Sequence, residues 1–147
     1  MECPFCMPGV KKSLFAESEN FRAIYNIAPI LPGHSLIIPK THYEAYLDIP
    51  DYQLLELVQF QRTVMNKLEK AFKPDGFDIT VQDGVCAGQT VNHTHVHIIP
   101  RYENDMPNPG DWYPKLEKNQ KKIIDSVSRA NLNDQQMKDI IEMLKKC

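Results

Sequence analysis

Three histidines at alternating positions are the part of this sequence best suited to chemistry. His93, His95 and His97 lie within residues 92–101, a run that contains several β-branched residues and meets a proline near its end. Such a run predicts a β-strand. Because alternate side chains of a strand share a face, the spacing predicts three imidazoles in a row on one open face, with the intervening side chains facing a core.

Two functions remain open for these imidazoles on the residues alone. A structural role is disfavoured, because a core would have to satisfy every ring nitrogen of three histidines at once. An imidazole can act as a nucleophile or as a general acid and base, and it is also the commonest metal ligand in proteins. The other two of the five histidines, His34 and His42, share the segment 32–42. The pattern therefore predicts either a reaction centre or a zinc site.

Length and charge narrow the class of protein. The 147 residues are enough for one domain with a hydrophobic core. The formal net charge of −2 argues against a protein that wraps a nucleic acid polymer electrostatically. No apolar run reaches the length of a membrane span, and the first residues contain no hydrophobic signal region. We therefore expect a cytoplasmic protein that does not bind a membrane.

The four cysteines are predicted to be thiols or metal ligands rather than disulfides, because the sequence shows no export signal. Cys3 and Cys6 form a Cys-x-x-Cys pair. A redox motif of this type normally lies between a strand and a helix, and no strand precedes residue 3. Two cysteines alone are also a weak zinc signal, because a closed structural site needs four ligands. Cys86 and Cys147 are expected to be a small core residue and a terminal thiol.

The periodicity along the chain predicts an α+β fold in a single domain. A long amphipathic helix is predicted over Asp51–Phe72, with Asp51 as its N-cap. Residues 103–114 are rich in proline and contain the only tryptophan, so we expect a loop there. Further helices are predicted over about residues 115–129 and after Asn133, where a capping-box pattern begins. Short strands are predicted at about residues 12–16, 21–27, 34–39 and 77–81.

The histidine motif resembles that of a known family. His-x-His-x-His followed by two apolar residues is the motif of the histidine triad (HIT) nucleotide hydrolases and transferases, and this chain carries it at residues 93–99. The longer stretch from Gln82 to Arg101 resembles the fragile-histidine-triad branch, which splits dinucleoside polyphosphates. The segment from Ile24 to Pro39 resembles the nucleoside-binding hairpin of the same family. The similarity covers roughly residues 20–101.

This resemblance implies a HIT-like α+β fold. An antiparallel half-barrel sheet would carry one long helix packed on it, followed by a C-terminal helical tail. Residues 1–102 would form the HIT domain, and residues 103–147 a loop and helical extension of the same domain. The resemblance also implies a homodimer, and magnesium accompanying a polyphosphate substrate.

The resemblance further implies a role for each functional residue. His95 would attack the α-phosphorus and form a covalent nucleotidyl-histidine that water then hydrolyses. His97 would bind the substrate and donate a proton to a phosphate oxygen or to the leaving group. Asn26 would contact the ribose, and Gln82 would contact the polyphosphate. The other residues expected to contact the nucleotide are His34, Gly88, Gln89, Thr90 and Val91.

The Cys-x-x-Cys pair distinguishes this sequence from the fragile-histidine-triad branch, which usually lacks one. Many bacterial HIT proteins carry such a pair, as does the related galactose-1-phosphate uridylyltransferase. In those relatives zinc is bound by the two cysteines, a histidine after a Pro-Lys turn and the first triad histidine. The resemblance therefore implies a closed structural zinc site made of Cys3, Cys6, His42 and His93, which leaves His95 free for chemistry.

Three functions follow from this sequence. The first is hydrolysis of dinucleoside polyphosphates such as diadenosine tri- or tetraphosphate. The second is Hint-type nucleoside phosphoramidate hydrolysis, or a phosphorylase that uses phosphate in place of water. Hint-type chains commonly continue the triad strand into glycine, whereas this one continues into Pro100 and Arg101, which favours the first function. The third is a zinc-stabilised nucleotide-binding module without turnover, against which the unliganded His95 argues.

Overall fold

One open antiparallel sheet of five strands forms the centre of the molecule. The computed structural model describes residues 2–120 and 131–147. Within them the strands are β1 (Leu14–Glu17), β2 (Phe21–Tyr25), β3 (Ser35–Pro39), β4 (Gly76–Val81) and β5 (Val96–Arg101). Their order in the sheet is β1-β2-β3-β5-β4, and each neighbouring pair is antiparallel. The predicted α+β fold with an antiparallel sheet is confirmed.

The long predicted helix is α1, and its bounds, Asp51–Phe72, are those expected from the sequence. Its buried side chains recur at the spacing of one helix face and pack in the main core with the sheet. The apolar members of this face are Leu57, Phe60, Val64 and Leu68. The prediction of Asp51 as the N-cap is wrong, because Pro50 occupies that position. Asp51 is the first helical residue, where its carboxylate still interacts favourably with the positive end of the helix.

Two further helices follow the sheet, α2 (Trp112–Gln120) and α3 (Asp134–Lys146). The predicted loop ends earlier than expected, because α2 begins at Trp112 and accommodates Pro114 in its first turn, where a missing N–H is tolerated. The helix predicted over residues 115–129 therefore matches α2 in part, and residues 121–130 lie outside the described residues. None of the described helices is long and apolar enough to cross a membrane.

The last helix, α3, packs on the sheet domain. Asn133 caps it, since its side chain accepts the N–H of Gln136 at 2.8 Å, and the Gln136 side chain accepts the N–H of Asn133 at 3.0 Å. The predicted capping box is therefore confirmed. The apolar face of α3 joins the main core through Met137, Ile141 and Leu144. The C-terminal helix is thus fixed against the domain by both a cap and a buried face.

The predicted histidine strand is shorter than expected. β5 begins at Val96, so only His97 of the three histidines lies in a regular strand. The N–H of Thr94 donates to the carbonyl of Tyr43 at 2.7 Å, in the segment after β3, rather than to a neighbouring strand. The two earlier histidines therefore lie in an irregular segment that leads into β5.

The predicted open face for the three imidazoles is also wrong. His93, His95 and His97 are all buried, and the exposed fraction of His95 is only 5%. Their cover comes in part from the N-terminal segment, because the ring of Phe5 makes edge contacts with His93 and His95 at centroid distances of 5.7 and 5.3 Å. The alternation pattern identifies which side chains share a face, but not what another segment places over that face.

The turn between β2 and β3 requires a glycine. Gly33 has a φ of +92°, and an added Cβ would lie 2.7 Å from Cγ of Pro100. Its N–H donates to the hydroxyl of Tyr25 at 2.8 Å. The next residue is His34, which is fully buried beside the histidine motif. The tight turn therefore determines where His34 is placed.

Arg101, at the end of β5, fixes the segment that follows the sheet. Its guanidinium donates to both carboxylate oxygens of Asp105 at 2.8 and 2.9 Å and to Asp78 on β4 at 2.6 Å. The hydrogen bonds from Arg101 hold the pKa of Asp105 at about 2. This cluster connects the last two strands of the sheet to the chain that leads into α2.

Candidate active site and metal centre

His95 is held in the tautomer that a nucleophile needs. Its Nδ1–H donates to the carbonyl of His93 at 2.9 Å. The proton therefore lies on Nδ1, and the lone pair lies on Nε2. Burial lowers the pKa of His95 below its ordinary value of 6.5, which favours the neutral ring. His95 is thus prepared to attack an electrophile through Nε2.

Two further imidazoles, those of His97 and His34, lie beside His95. The ring of His97 is 5.0 Å from that of His95, and Nε2 of His34 is 3.1 Å from Nδ1 of His97. Because the N–H of Ile30 donates to Nδ1 of His34 at 3.2 Å, a neutral His34 carries its proton on Nε2 and donates it to His97. The proton of a neutral His97 then lies on Nε2. His97 is therefore a hydrogen-bond donor at the atom that faces away from His34.

The structure brings the four predicted zinc ligands together. One donor atom from each of Cys3, Cys6, His42 and His93 lies within 4.8 Å of the others. The sulfur–nitrogen distances are 3.4 Å for Cys3–His93, 3.4 Å for Cys6–His42 and 3.5 Å for Cys6–His93. Tetrahedral zinc with ordinary Zn–S and Zn–N bond lengths gives an S–N separation of about 3.6 Å. The donor set therefore fits a four-coordinate zinc ion.

His93 presents the nitrogen that a metal ligand requires. Its Nε2–H donates to the carbonyl of Pro39 at 2.9 Å, which leaves Nδ1 facing the cysteines. Burial lowers the pKa of His93, so the ring stays neutral as a ligand must. The backbone carbonyl of the same residue orients His95. His93 therefore connects the metal cluster directly to the nucleophile.

The predicted phosphate-binding residues lie on the connection between β4 and β5. Gln82 is buried directly after β4, and Gly88 has a φ of +100°, which ends a short 3-10 turn. Thr90 is exposed and Val91 is half-buried. Cys86 is exposed on the same loop, so its predicted place in a core is wrong. The roles of these residues toward a phosphate stay predictions.

Gln89 holds this loop together in the structure. Its side-chain oxygen accepts the N–H of Gly84 at 2.7 Å. Its side-chain nitrogen donates to the carbonyls of Glu44 and Val91, both at 3.0 Å. Contact with a substrate phosphate through this side chain would require one of these bonds to open. Its predicted contact with the nucleotide remains a prediction.

A cavity of about 330 Å³ lies near the histidines, although no histidine is among its described lining residues. Phe5 lines the cavity and also contacts His95, so the two sites share a wall. Asn26, the predicted ribose contact, lines the cavity as well, with its side-chain nitrogen 3.4 Å from Nε2 of His34. The volume lies in the range of small-molecule sites. The cavity can therefore hold a nucleoside next to the nucleophile.

Sequence reasoning missed two parts of this site. The first is Phe5, whose position between the two cysteines is a usable signal, because a metal cluster containing His93 brings the intervening residue close to the triad. The second is the start of α3, which contributes Leu132, Asp134 and Met137 to the cavity wall. No local pattern identifies that contact, since it depends on how α3 packs on the sheet.

Fold and site bring together an oriented imidazole, a second imidazole that can donate a hydrogen bond, and a neighbouring cavity that shares Phe5 with the site. The sequence model of the HIT domain matches residues 8–104, which is more than half of the chain. The chain therefore belongs to the HIT domain family.

Within this family the chain is similar to proteins that act on dinucleoside polyphosphates. It is 40% identical over 111 residues to the asymmetrical bis(5'-nucleosyl)-tetraphosphatase of Schizosaccharomyces pombe, covering 76% of this chain and 61% of that relative. The match thus spans less than two thirds of the relative's length. The crystal structure of Plasmodium falciparum diadenosine triphosphate hydrolase in complex with cyclomarin A superposes with a TM-score of 0.73 at 25% identity, covering 92% of this chain and 76% of that one.

A zinc-bound neighbour is also similar in fold. The crystal structure of a zinc-bound histidine triad family protein from Mycobacterium smegmatis superposes with a TM-score of 0.65 at 25% identity. The superposition covers 99% of this chain and 97% of that one. The similarity therefore extends over both the metal cluster and the C-terminal part of the chain.

Proposed function

We propose that this protein hydrolyses dinucleoside polyphosphates of the diadenosine tri- or tetraphosphate type at the α-phosphorus. The observation that carries the proposal is the hydrogen bond from Nδ1 of His95 to the carbonyl of His93, which leaves Nε2 free as a buried nucleophile. The substrate class is supported by the similarity to a bis(5'-nucleosyl)-tetraphosphatase and to a diadenosine triphosphate hydrolase.

In the first step, Nε2 of His95 attacks the α-phosphorus. The new N–P bond replaces the P–O bond to the leaving polyphosphate, and a covalent nucleotidyl-histidine results. His97 donates a hydrogen bond from its Nε2–H to the departing oxygen, which stabilises the negative charge that develops there while the proton stays on His97. His34 keeps that proton on the correct nitrogen of His97 through the 3.1 Å contact.

In the second step, water attacks the same phosphorus atom. The new P–O bond forms as the N–P bond breaks, the electron pair returns to Nε2 of His95, the water's proton passes to solvent, and a nucleoside monophosphate is released. The cavity beside His95 holds the nucleoside of the monophosphate that becomes covalently attached, with Asn26 at the ribose. Gln82, Gly88, Gln89, Thr90 and Val91 complete the contacts to the phosphates.

A structural zinc ion belongs to the same proposal. The four donor atoms fit a tetrahedral site, and a similar protein is zinc-bound. Zinc has no open position in such a set, so it stabilises the fold around His93 rather than taking part in the reaction. Magnesium bound to the polyphosphate and a cytoplasmic location stay predictions.

A homodimer is the proposed assembly, and two features of the surface support it. The outer face of α1 exposes three large side chains one turn apart, with 68% of Tyr52, 67% of Leu55 and 60% of Val58 accessible. β4 lies at the edge of the sheet, and an edge strand offers unpaired backbone groups to a second chain. An apolar helix face and a free strand edge are suited to packing against a second copy of the chain.

The proposal is tested by turnover of a substrate panel. The chain is incubated with diadenosine triphosphate, diadenosine tetraphosphate or adenosine 5'-phosphoramidate, with and without magnesium. We expect the dinucleotides to give AMP together with ADP or ATP. The His95→Ala variant should lower kcat by at least ~10³-fold while still binding AMP.

Each alternative gives a different product pattern. Faster turnover of the phosphoramidate would identify a Hint-type enzyme. Added inorganic phosphate that diverts the adenylyl group from AMP to ADP would identify a phosphorylase. Binding of nucleotides without turnover of any substrate would identify a non-catalytic module and would contradict the proposal.

A further inference from the structure

The start of α3 contributes a wall to the cavity beside the histidines. Leu132, Asp134 and Met137 line it together with residues from the N-terminal segment, β2 and β3. The N–H of Leu132 donates to the carbonyl of Ile27 at 2.9 Å, and Ile27 also lines the cavity. A segment far from the histidine motif in sequence is therefore tied to the cavity itself.

The position of this wall is fixed by the rest of the helix. The capping box of Asn133 and Gln136 orders the first turn, and Met137 is buried with an exposed fraction of 8%. Below it, Ile141 and Leu144 are anchored in the main core. The backbone at the start of α3 is thus held in a defined place at the cavity, while the side chain of Asp134 is exposed.

Among the described lining residues, only two carry a charge. Asp134 lies on the α3 side and Lys12 on the N-terminal side, while most of the other lining residues are apolar. The carboxylate of Asp134 makes no hydrogen bond or ion pair with the part of the chain that the structure describes, whereas Asp139 on the same helix accepts a hydrogen bond from Gln135. The cavity therefore combines apolar walls with an acceptor that remains available to a ligand.

We propose that Asp134 determines nucleobase specificity by accepting a hydrogen bond from the exocyclic amine of a purine. This inference rests on the proposed function, because it takes the cavity as the nucleoside site. Apolar walls suit the faces of a planar base, and a carboxylate accepts only, so it pairs with an amino group. A base that lacks the amino group at that edge offers the carboxylate one donor fewer.

Two pairs of nucleotides isolate the amine. AMP and purine riboside 5'-monophosphate differ only in the 6-amino group, and GMP and IMP differ only in the 2-amino group. We expect the wild-type chain to bind the amino member of one pair about tenfold more tightly, as suits a hydrogen bond to a charged acceptor. The pair that shows the preference identifies the base as adenine or guanine.

The variants then assign the preference to a residue. Asp134→Ala should abolish the amine preference, and Asp134→Asn, which keeps an acceptor without the charge, should reduce it. Asp139→Ala is the matched control, because it removes a carboxylate from the same helix outside the cavity and should leave the preference unchanged. The ratio of two dissociation constants measured on one sample does not depend on how much of that sample is folded.

The possible outcomes separate this inference from the proposed function. Nucleotide binding with no amine preference, or a preference that persists in Asp134→Ala, overturns the role of Asp134 and leaves the proposed function intact. A chain that binds none of the four nucleotides overturns both. A preference lost in Asp134→Ala and kept in Asp139→Ala supports the inference.

Discussion

Removing one of the proposed zinc ligands should lower both the thermal stability and kcat. In Cys3→Ala the cluster keeps three of its four donors, and a closed tetrahedral site becomes an incomplete one. Cys86→Ala is the matched control, because Cys86 is exposed and lies outside the cluster. The comparison therefore separates the loss of a ligand from the loss of a thiol.

The size of the effect follows from linkage. A metal present at 1,000 times its dissociation constant stabilises the folded state by about 4 kcal/mol. For a domain of this size, 4 kcal/mol corresponds to about 8–16 °C in Tm. Because His93 both ligates the metal and supplies the carbonyl that orients His95, we also expect kcat to fall about 10²-fold, as displacement of a reacting group by ~1 Å does.

Elemental analysis and thermal denaturation measure these effects. Wild type and Cys86→Ala should each contain one zinc per chain and lose stability when a chelator is added. Cys3→Ala should contain little zinc, melt earlier and respond weakly to the chelator. A wild-type chain that contains no metal, or a Cys3→Ala variant with full zinc and an unchanged Tm, would contradict the prediction of a structural zinc site.

Three further predictions concern other parts of the molecule. His34→Phe removes the hydrogen-bond donor to His97 but keeps a ring, so kcat for a dinucleoside polyphosphate should fall about 10²-fold while AMP is still bound; an unchanged kcat would contradict this. Asp105 has a pKa of about 2, against an ordinary value of 3.8, so its ionised form stabilises the folded state above pH 3.8 and this stabilisation is lost as the pH falls toward 2. The difference in Tm between wild type and Asp105→Asn should therefore narrow over that range. Leu55→Glu places a charge on the exposed face of α1 and should convert a dimer into a monomer, as measured by sedimentation, whereas a wild-type chain that sediments as a monomer would contradict the proposed assembly.

The elements whose apolar residues recur at a regular spacing were predictable from the sequence. α1 begins and ends where its apolar spacing begins and ends, because the same spacing buries its inner face. The clustering of Cys3, Cys6, His42 and His93 was also predictable, but only through the family resemblance, since nothing local connects Cys3 to His93 across most of the domain. The spacing of residues along the chain indicates well which face of one helix or strand is buried. It indicates poorly which distant segments come into contact.

The parts that could not be predicted depend on segments that meet only in the folded chain. The alternation of the histidines correctly placed them together, yet it did not indicate that the N-terminal segment covers them or that β5 begins only at Val96. Likewise, the direct contact of His34 with His97 follows from the pairing of β3 with β5. Such contacts are set by strand register and by burial, which single-sequence patterns do not contain.

The residues proposed to carry out the reaction and the residue proposed to select the nucleobase lie in different parts of the chain. The match to the HIT domain covers residues 8–104, which include His34, His95 and His97. Phe5 lies before this stretch and Asp134 after it, and both line the cavity. Under the proposed function the imidazoles carry out the reaction and the cavity wall selects the base, so a substitution at Asp134 should change KM among nucleotides more than kcat. A change of base preference is thus attainable without disturbing the hydrogen bonds that orient His95.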